Sequence, residues 1–235
     1  MIGIGTFLRR KSHASLPKLP VTNARAIRWL LFCGIAACLL LTIFVIAAAL
    51  LTPDYSRWLE PISQMGAEGR PHAQVINAGF IIIGLLLSGF AYGLYCHLGR
   101  CILAKMVWLA LAVSSIGLIL LGIFQCDWKA LGVTGTLEDN LHTVFAQVTF
   151  ISFVTCMAMF TMLAHRKQSW CDFKRISLAF FLANLVLLAL LDAQVSWAGH
   201  GALEFSFMGL SLVWLVAVSL RSIRLLAHAS LPQSP

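Results

Sequence analysis

The sequence predicts an all-α protein: a polytopic bundle of six transmembrane helices with both termini in the cytoplasm. Three features lead to this prediction, namely the overall hydrophobicity, the length of the apolar runs and the one-sided distribution of basic residues. Hydrophobic residues make up 60% of the 235 positions and the mean hydropathy is +0.87. Soluble domains contain only about 45–50% apolar residues. A chain this apolar is typical of proteins that reside in a bilayer.

The apolar residues are concentrated in runs of membrane-spanning length. A helix needs about 20 such residues to cross a hydrocarbon core about 30 Å thick. Six segments reach or approach that length: 29–51, 75–98, 103–124, 141–164, 176–195 and 203–220. A membrane β-barrel would show strands of about 10 residues with alternating polarity, which the sequence lacks. We therefore expect a six-helix membrane domain over residues 27–224, between a basic cytoplasmic arm (1–26) and a flexible cytoplasmic tail (225–235).

The basic residues set the expected orientation. Fourteen of the 17 Lys and Arg residues precede the first apolar run, fall in the second and fourth connections or follow the last apolar run. Only Arg57, Arg70 and Lys129 fall on the opposite side. Cytoplasmic segments are the ones enriched in Lys and Arg, so both termini are predicted to be cytoplasmic. The net charge of +8 therefore reflects topology, and nucleic-acid binding is not expected because no basic patch is interleaved with aromatic residues.

Acids and histidines collect on the side opposite the basic residues. Eight of the nine acids fall there, Asp172 being the exception. They are Asp54, Glu60, Glu68, Asp127, Glu138, Asp139, Asp192 and Glu204. Three histidines, His72, His142 and His200, belong to the same side. This polar cap, drawn from all three outer connections, is the main functional-site signal in the sequence.

The fourth predicted helix begins with an acidic turn. Asp139 and His142 are three residues apart, which places them on one helical face. A carboxylate and an imidazole are ligands for a divalent metal such as zinc. The alternative is that Thr136-x-x-Asp139 forms a capping box and that the acids complement the helix dipole. Both interpretations stay open at this point.

Two acids, Asp192 and Glu204, are nearly enclosed by apolar segments. A carboxylate at membrane depth is costly and normally has a partner or a wet cavity. The turn at 198–201 would bring His200 between them, which favours proton exchange near neutral pH. The alternative is that both acids are hydrated at the membrane interface.

The first outer loop contains a serine, Ser63, near a histidine, His72. A nucleophilic serine needs a hydrogen-bonded base and an oxyanion hole, and the sequence indicates neither, so a turn or capping role is the alternative. Asn77, just inside the second predicted helix, is expected to make an interhelical hydrogen bond, as is Asn184 in the fifth.

Several short motifs resemble a known family. They are Ile62-Ser63-Gln64-Met65-Gly66-Ala67, Pro71-His72-Ala73, Asn77-Ala78-Gly79-Phe80, Gly122-Ile123-Phe124, Asp127, Leu141-His142 and Glu204. This pattern resembles a family of six-span prokaryotic membrane proteins catalogued as domain of unknown function nine-nine-eight. The resemblance implies six helices and recurring polar positions at Ser63, Asp127, His142 and Glu204. The predicted location of the protein is the inner membrane. Gln64 replaces the acid and Phe205 the arginine that the family tends to have at these positions.

Together these features predict a multi-pass protein with a polar pocket at its extracytoplasmic end. Ser63, Asp127, His142 and Glu204 form the predicted pocket, and His72, Asn77, Asp192 and His200 are its expected neighbours. The predicted role is to bind or act on a membrane lipid or a hydrophobic small molecule. Two alternatives remain: a transporter or channel, and a non-catalytic scaffold or sensor. An enzyme predicts that the acids converge on one cavity, whereas a scaffold predicts that they extend into water.

Overall fold

The computed structural model describes residues 21–128, 135–193 and 199–229. Within these ranges the protein is helical and contains no strand. The six long helices are α1 (Val21–Leu50), α2 (Ala73–Leu98), α3 (Ile102–Ile123), α4 (Leu137–Arg166), α5 (Lys174–Asp192) and α6 (His200–Ala229). Each of them is long and apolar enough to cross a membrane. The prediction of an all-α, six-helix membrane protein is confirmed.

The first and last helices extend beyond the predicted membrane domain. α1 begins at Val21, inside the segment predicted as a basic arm. α6 continues to Ala229, so residues 225–229 of the predicted flexible tail are helical. Basic side chains such as Arg25 and Arg224 can extend toward the head groups while their stems cover apolar surface, so a helix need not end where the apolar run ends.

The helices form a ring in chain order. Each helix packs against its neighbours in the sequence, and contacts between α1 and α6 close the ring. Consecutive helices are antiparallel, so the C-terminal ends of α1, α3 and α5 lie with the N-terminal ends of α2, α4 and α6. We call this the acidic end, and the opposite one the basic end. The described part of the chain also contains two 3₁₀ turns, Ile62–Gly66 at the acidic end and Gln168–Trp170 at the basic end.

Glycines allow α2 to approach both of its neighbours closely. A Cβ at Gly93 would lie 2.6 Å from Cβ of Leu30 on α1. On the other side, a Cβ at Gly122 of α3 would collide with the backbone carbonyl oxygen of Asn77. Small residues at such crossings replace the hydrophobic driving force that is missing between helices in lipid. These contacts fix the α1–α2–α3 layer on which the acidic end is built.

Buried hydrogen bonds join α5 to α6. The hydroxyl of Ser211 on α6 donates to Oδ1 of Asn184 at 3.0 Å. Nε1 of Trp214 donates to Oγ of Ser177 at 3.1 Å. The expected interhelical hydrogen bond of Asn184 is therefore confirmed. These bonds matter for α5 because few of its side chains are buried inside the protein.

Candidate functional site

The 3₁₀ turn Ile62–Gly66 lies at the centre of the acidic end. Four of its five residues are buried, Ser63 being the exception. Nε2 of Gln64 donates to the carbonyl oxygen of Asp127 at 3.1 Å. Nδ2 of Asn77 donates to the carbonyl oxygen of Gly66 at 2.9 Å. Asn77 thus anchors this turn to α2. The sequence had suggested that Asn77 joins two long helices, which this hydrogen bond does not do.

Glu204 lies beneath the same turn. It occupies the first part of α6 and is 8% exposed. Its Oε2 accepts a hydrogen bond from the backbone N–H of Ile62 at 3.0 Å. The first N–H groups of a helix have no partner within the helix, so this carboxylate caps the 3₁₀ turn from a distant part of the chain. Glu204 is thereby held at the junction of the first outer loop and α6.

Tyr55 is a neighbour of Glu204 that the sequence did not single out. Its hydroxyl donates to the carbonyl oxygen of Glu60 at 2.9 Å. Burial raises the pKa of Tyr55, and the negative charges of Glu204 and Glu60 raise it further. The phenol therefore stays a neutral hydrogen-bond donor in this acidic environment.

Asp127 closes a hydrogen-bonded network at the start of α4. Its carboxylate accepts from Oγ1 of Thr136 at 2.7 Å and from the backbone N–H of Thr136 at 3.1 Å. Its own backbone N–H donates to Oδ1 of Asp139 at 3.0 Å. Oγ1 of Thr136 in turn accepts from the backbone N–H of Asp139 at 3.2 Å. Thr136 is the N-cap of α4, which confirms one half of the predicted capping box. Asp127 takes the place of Asp139 in the other half.

His142 connects α4 to the end of α3. It is 5% exposed, and its Nδ1 lies 2.7 Å from the carbonyl oxygen of Phe124. A carbonyl can only accept a hydrogen bond, so Nδ1 carries the proton. The lone pair of the neutral ring is then on Nε2, which is the nitrogen that can accept a proton or bind a metal.

The other predicted residues lie at the edge of this arrangement. Ser63 is half-buried, and its carbonyl oxygen accepts from Sγ of Cys126 at 3.3 Å. His72 is exposed and adopts the left-handed conformation, with φ at 61°. Among the described hydrogen bonds none joins Ser63 to His72. Asp192 and His200 are exposed at the ends of α5 and α6. For Asp192 the structure favours the alternative of a hydrated acid, because α5 ends at this residue.

The described residues contain no group of three or more His, Cys, Asp and Glu side chains that could hold a metal ion. Asp139 and His142 would contribute two ligands at most. Oδ1 of Asp139 is already bound to the backbone N–H of Asp127. A metal at this pair therefore stays a prediction.

A partly buried ion pair was not predicted from the sequence. Nη2 of Arg70 lies 2.9 Å from Oε2 of Glu60, and the Arg70 side chain is 4% exposed. The guanidinium also lies 4.8 Å from the centroid of the Trp128 ring. The signal in the sequence was that Arg70 is one of few basic residues on its side of the protein. A buried arginine requires an acidic partner, so such a residue indicates an ion pair. The ion pair lies within the first outer loop, and the contact of Arg70 with Trp128 joins this loop to the segment that follows α3.

The N-terminal end of α6 packs directly on the first outer loop. The backbone N–H of Ala202 donates to the carbonyl oxygen of Trp58 at 3.1 Å. A side chain at Gly199 or Gly201 would collide with carbonyl oxygens of this loop. Gly199 also has a φ of 66°, a conformation that glycine adopts without strain. This close contact places Glu204 beneath the 3₁₀ turn.

A ring of six apolar helices, with the first outer loop folded over one end, defines a multi-pass helical membrane protein. Residues 35–221 match the family described as "Protein of unknown function (DUF998)". The chain belongs to this family, as the motifs around Ser63, Asp127, His142 and Glu204 had indicated. No protein of curated function and no solved structure matches the sequence.

Proposed function

We propose that the protein binds a membrane lipid or another hydrophobic small molecule at its acidic end, where Glu204 contacts the polar group of that molecule. The observation that supports this proposal is the burial of the Glu204 carboxylate inside an apolar helix end, where it accepts a hydrogen bond from Ile62. Ionisable groups at membrane depth are costly and commonly mark functional sites. A carboxylate needed only as a cap would gain from remaining in water.

Apolar side chains beside this site support access from the bilayer. Trp58 and Leu59 are 60% and 64% exposed, and they immediately precede Glu60. Trp is enriched at membrane interfaces because its ring is apolar and its N–H is polar. A molecule with an apolar body and a polar head could therefore approach Glu204 along this loop without leaving the membrane.

His142 supplies the chemistry if the bound molecule is also transformed. Its Nε2 carries the free lone pair and would act as the base, while Nδ1 is held by the carbonyl of Phe124. Asp127 and Ser63 lie in the same end of the bundle and complete the proposed set. A divalent metal such as zinc, if present, would be bound by Asp139 and His142.

The decisive comparison uses Glu204→Gln. The amide oxygen can still accept the Ile62 hydrogen bond, so the variant loses the charge and keeps the cap. Asp192→Asn is the matched control, because Asp192 is an exposed acid at the same end. Native mass spectrometry would identify lipids and hydrophobic small molecules retained by the purified proteins. Loss of a charged hydrogen bond lowers affinity about 10- to 100-fold. Equal retention by the wild type and both variants would refute the proposal.

Metal binding is tested separately. The metal content of the wild type is compared with that of His142→Ala, with His72→Ala as a control at an exposed histidine. Near-stoichiometric zinc that is lost only in His142→Ala would support the metal site. A metal content that is the same in all three proteins would overturn it and leave Glu204 binding as the remaining proposal.

A further inference from the structure

A groove opens between α1 and α2 at the basic end, opposite Glu204. Its volume is about 330 Å³, within the range of small-molecule sites. α1 contributes Ile27 and Leu30 to its wall, and α2 contributes Tyr92 and Tyr95. Arg100, which follows α2, lines the groove and is exposed.

The helix contacts explain why the groove forms at this position. At Gly93 the two helices are so close that a Cβ would collide with Leu30. Nearer the basic end, the ring of Tyr95 packs against Trp108 of α3, with centroids 5.8 Å apart. Tyr95 therefore leans toward α3, and space remains between its helix and α1. The groove is a consequence of packing on both sides of α2.

The basic end has a large excess of positive charge. The described residues there include ten basic side chains and one acid, Asp172. The basic residues are Arg25, Arg28, Arg100, Lys105, Arg166, Lys167, Lys174, Arg175, Arg221 and Arg224. Asp172 lies 3.8 Å from Arg221. Within the described part of the chain, no carboxylate forms an ion pair with Arg100.

The C-terminal end of α2 does not cancel this positive field. Carbonyl groups at a helix C-terminus carry partial negative charge. Here the carbonyl oxygen of Leu98 accepts a hydrogen bond from Nζ of Lys167, and that of Tyr95 accepts from the N–H of Gly99 at 3.1 Å. The partial charge beside the groove is therefore already compensated by a cation from the connection between α4 and α5.

We infer that this groove binds the phosphate group of an anionic membrane lipid. Arg100 would contact the phosphate, Tyr92 and Tyr95 can donate hydrogen bonds from their hydroxyl groups, and Ile27 and Leu30 would contact the glycerol and the first acyl carbons. The combination of one cation with an apolar wall matches an amphiphile better than a water-soluble anion. Basic pockets between transmembrane helices bind acidic lipid head groups by the same combination of charge and burial.

This site is independent of the proposed function at Glu204. It lies at the other end of the helices and uses α1, α2 and Arg100 alone. Either assignment can fail while the other stands.

The test measures lipid binding to the full-length protein in detergent by native mass spectrometry. Phosphatidylglycerol is compared with phosphatidylcholine of identical acyl chains. Arg100→Gln removes the charge from the groove, and Lys105→Gln removes an exposed charge at the same end but outside the groove. Ala26→Trp fills the groove from an exposed position that lines it. Thermal unfolding confirms that each variant is folded.

The wild type is expected to prefer phosphatidylglycerol. Arg100→Gln should weaken that binding about fivefold, the effect of one cation near an anionic head group. Ala26→Trp should weaken it as well, and Lys105→Gln should leave it unchanged. Equal binding of the two lipids by the wild type would overturn the inference, as would equal loss in Arg100→Gln and Lys105→Gln. Displacement of the lipid by an equal concentration of glycerol 3-phosphate would assign the groove to a soluble phosphate and overturn the lipid assignment.

Discussion

Replacement of Asp127 by alanine should destabilise the acidic end. The Asp127 carboxylate accepts two hydrogen bonds from Thr136, at 2.7 and 3.1 Å, and the residue is 3% exposed. Hydrogen bonds to a charged group contribute about 1.5–3 kcal/mol each. Thr136 is only half-buried, so the lower value applies, and the two bonds together contribute about 3 kcal/mol. Asp127→Asn retains one acceptor oxygen and should lose about half of this.

The assay uses the cysteines of the protein. Cys38 and Cys156 are buried in α1 and α4, so a thiol-reactive fluorophore reports unfolding in detergent once accessible thiols such as that of Cys101 have been blocked with a non-fluorescent maleimide. A chain of this size shifts its Tm by about 2–4 °C per kcal/mol, which predicts a decrease of about 6–12 °C for Asp127→Ala. Glu138→Ala is the control because Glu138 is exposed in the same first turn. It should lose only the dipole contribution of about 0.3–1 kcal/mol.

A Tm of Asp127→Ala within about 2 °C of that of Glu138→Ala, on the same scale of °C per kcal/mol, would refute the reasoning. It would mean that the network from Asp127 through Thr136 to Asp139 forms in the folded state without stabilising it. The variant Asp127→Asn is a further control. A Tm between those of the wild type and Asp127→Ala is expected for it only if the hydrogen bonds of Asp127 cause the loss of stability.

Three further predictions concern other parts of the molecule. Gly122→Ala should destabilise the protein by about 1–3 kcal/mol, because the added Cβ meets the carbonyl oxygen of Asn77. The control Gly209→Ala has open space around its Cβ and should stabilise the protein slightly. Thermal unfolding that ranks the two variants in the opposite order would contradict this packing. Burial and nearby carboxylates raise the pKa of Tyr55 above its usual value of about 10. The difference between the ultraviolet pH titrations of the wild type and of Tyr55→Phe should show this raised pKa. The contribution of the neutral Tyr55 hydroxyl to stability is then fully present below the pKa of the unfolded state and is lost as the pH rises through the pKa of the folded state. Ionisation of Tyr55 at or below the usual pKa would disprove the raised pKa. Both termini are proposed to be cytoplasmic. A variant retaining only Cys101, which is exposed at the basic end, should therefore react with an impermeant maleimide in inside-out membrane vesicles. Reaction in right-side-out vesicles would reverse the orientation.

The sequence could predict the helices because bilayer physics acts on each segment separately. A run of about 20 apolar residues forms a spanning helix whatever its neighbours are. The helix bounds were less accurate, as at Val21 and Ala229, because interfacial residues fit a helix or an extended arm equally well. The Thr136 cap of α4 was also predictable, because a cap depends on residues only three positions apart.

The site could be predicted as a set of residues but not as a geometry. Composition placed Asp127, His142 and Glu204 at one end of the bundle. It could not indicate that each of these side chains would form a hydrogen bond with a different backbone segment. The backbone partners are Thr136, Phe124 and Ile62, respectively. These partners are between 9 and 142 positions away in the chain, and no local pattern encodes such distances.

The sequence by itself determined the class of protein, the number of helices and the end at which polar residues gather. Only the tertiary structure decided which acids are buried: Glu204 lies beneath the first outer loop, whereas Asp192 is exposed. It also decided that Arg70 is paired and that Arg100 opens onto a groove. The physical reason is that hydrophobicity is a property of single segments, while burial and pairing depend on which segments meet.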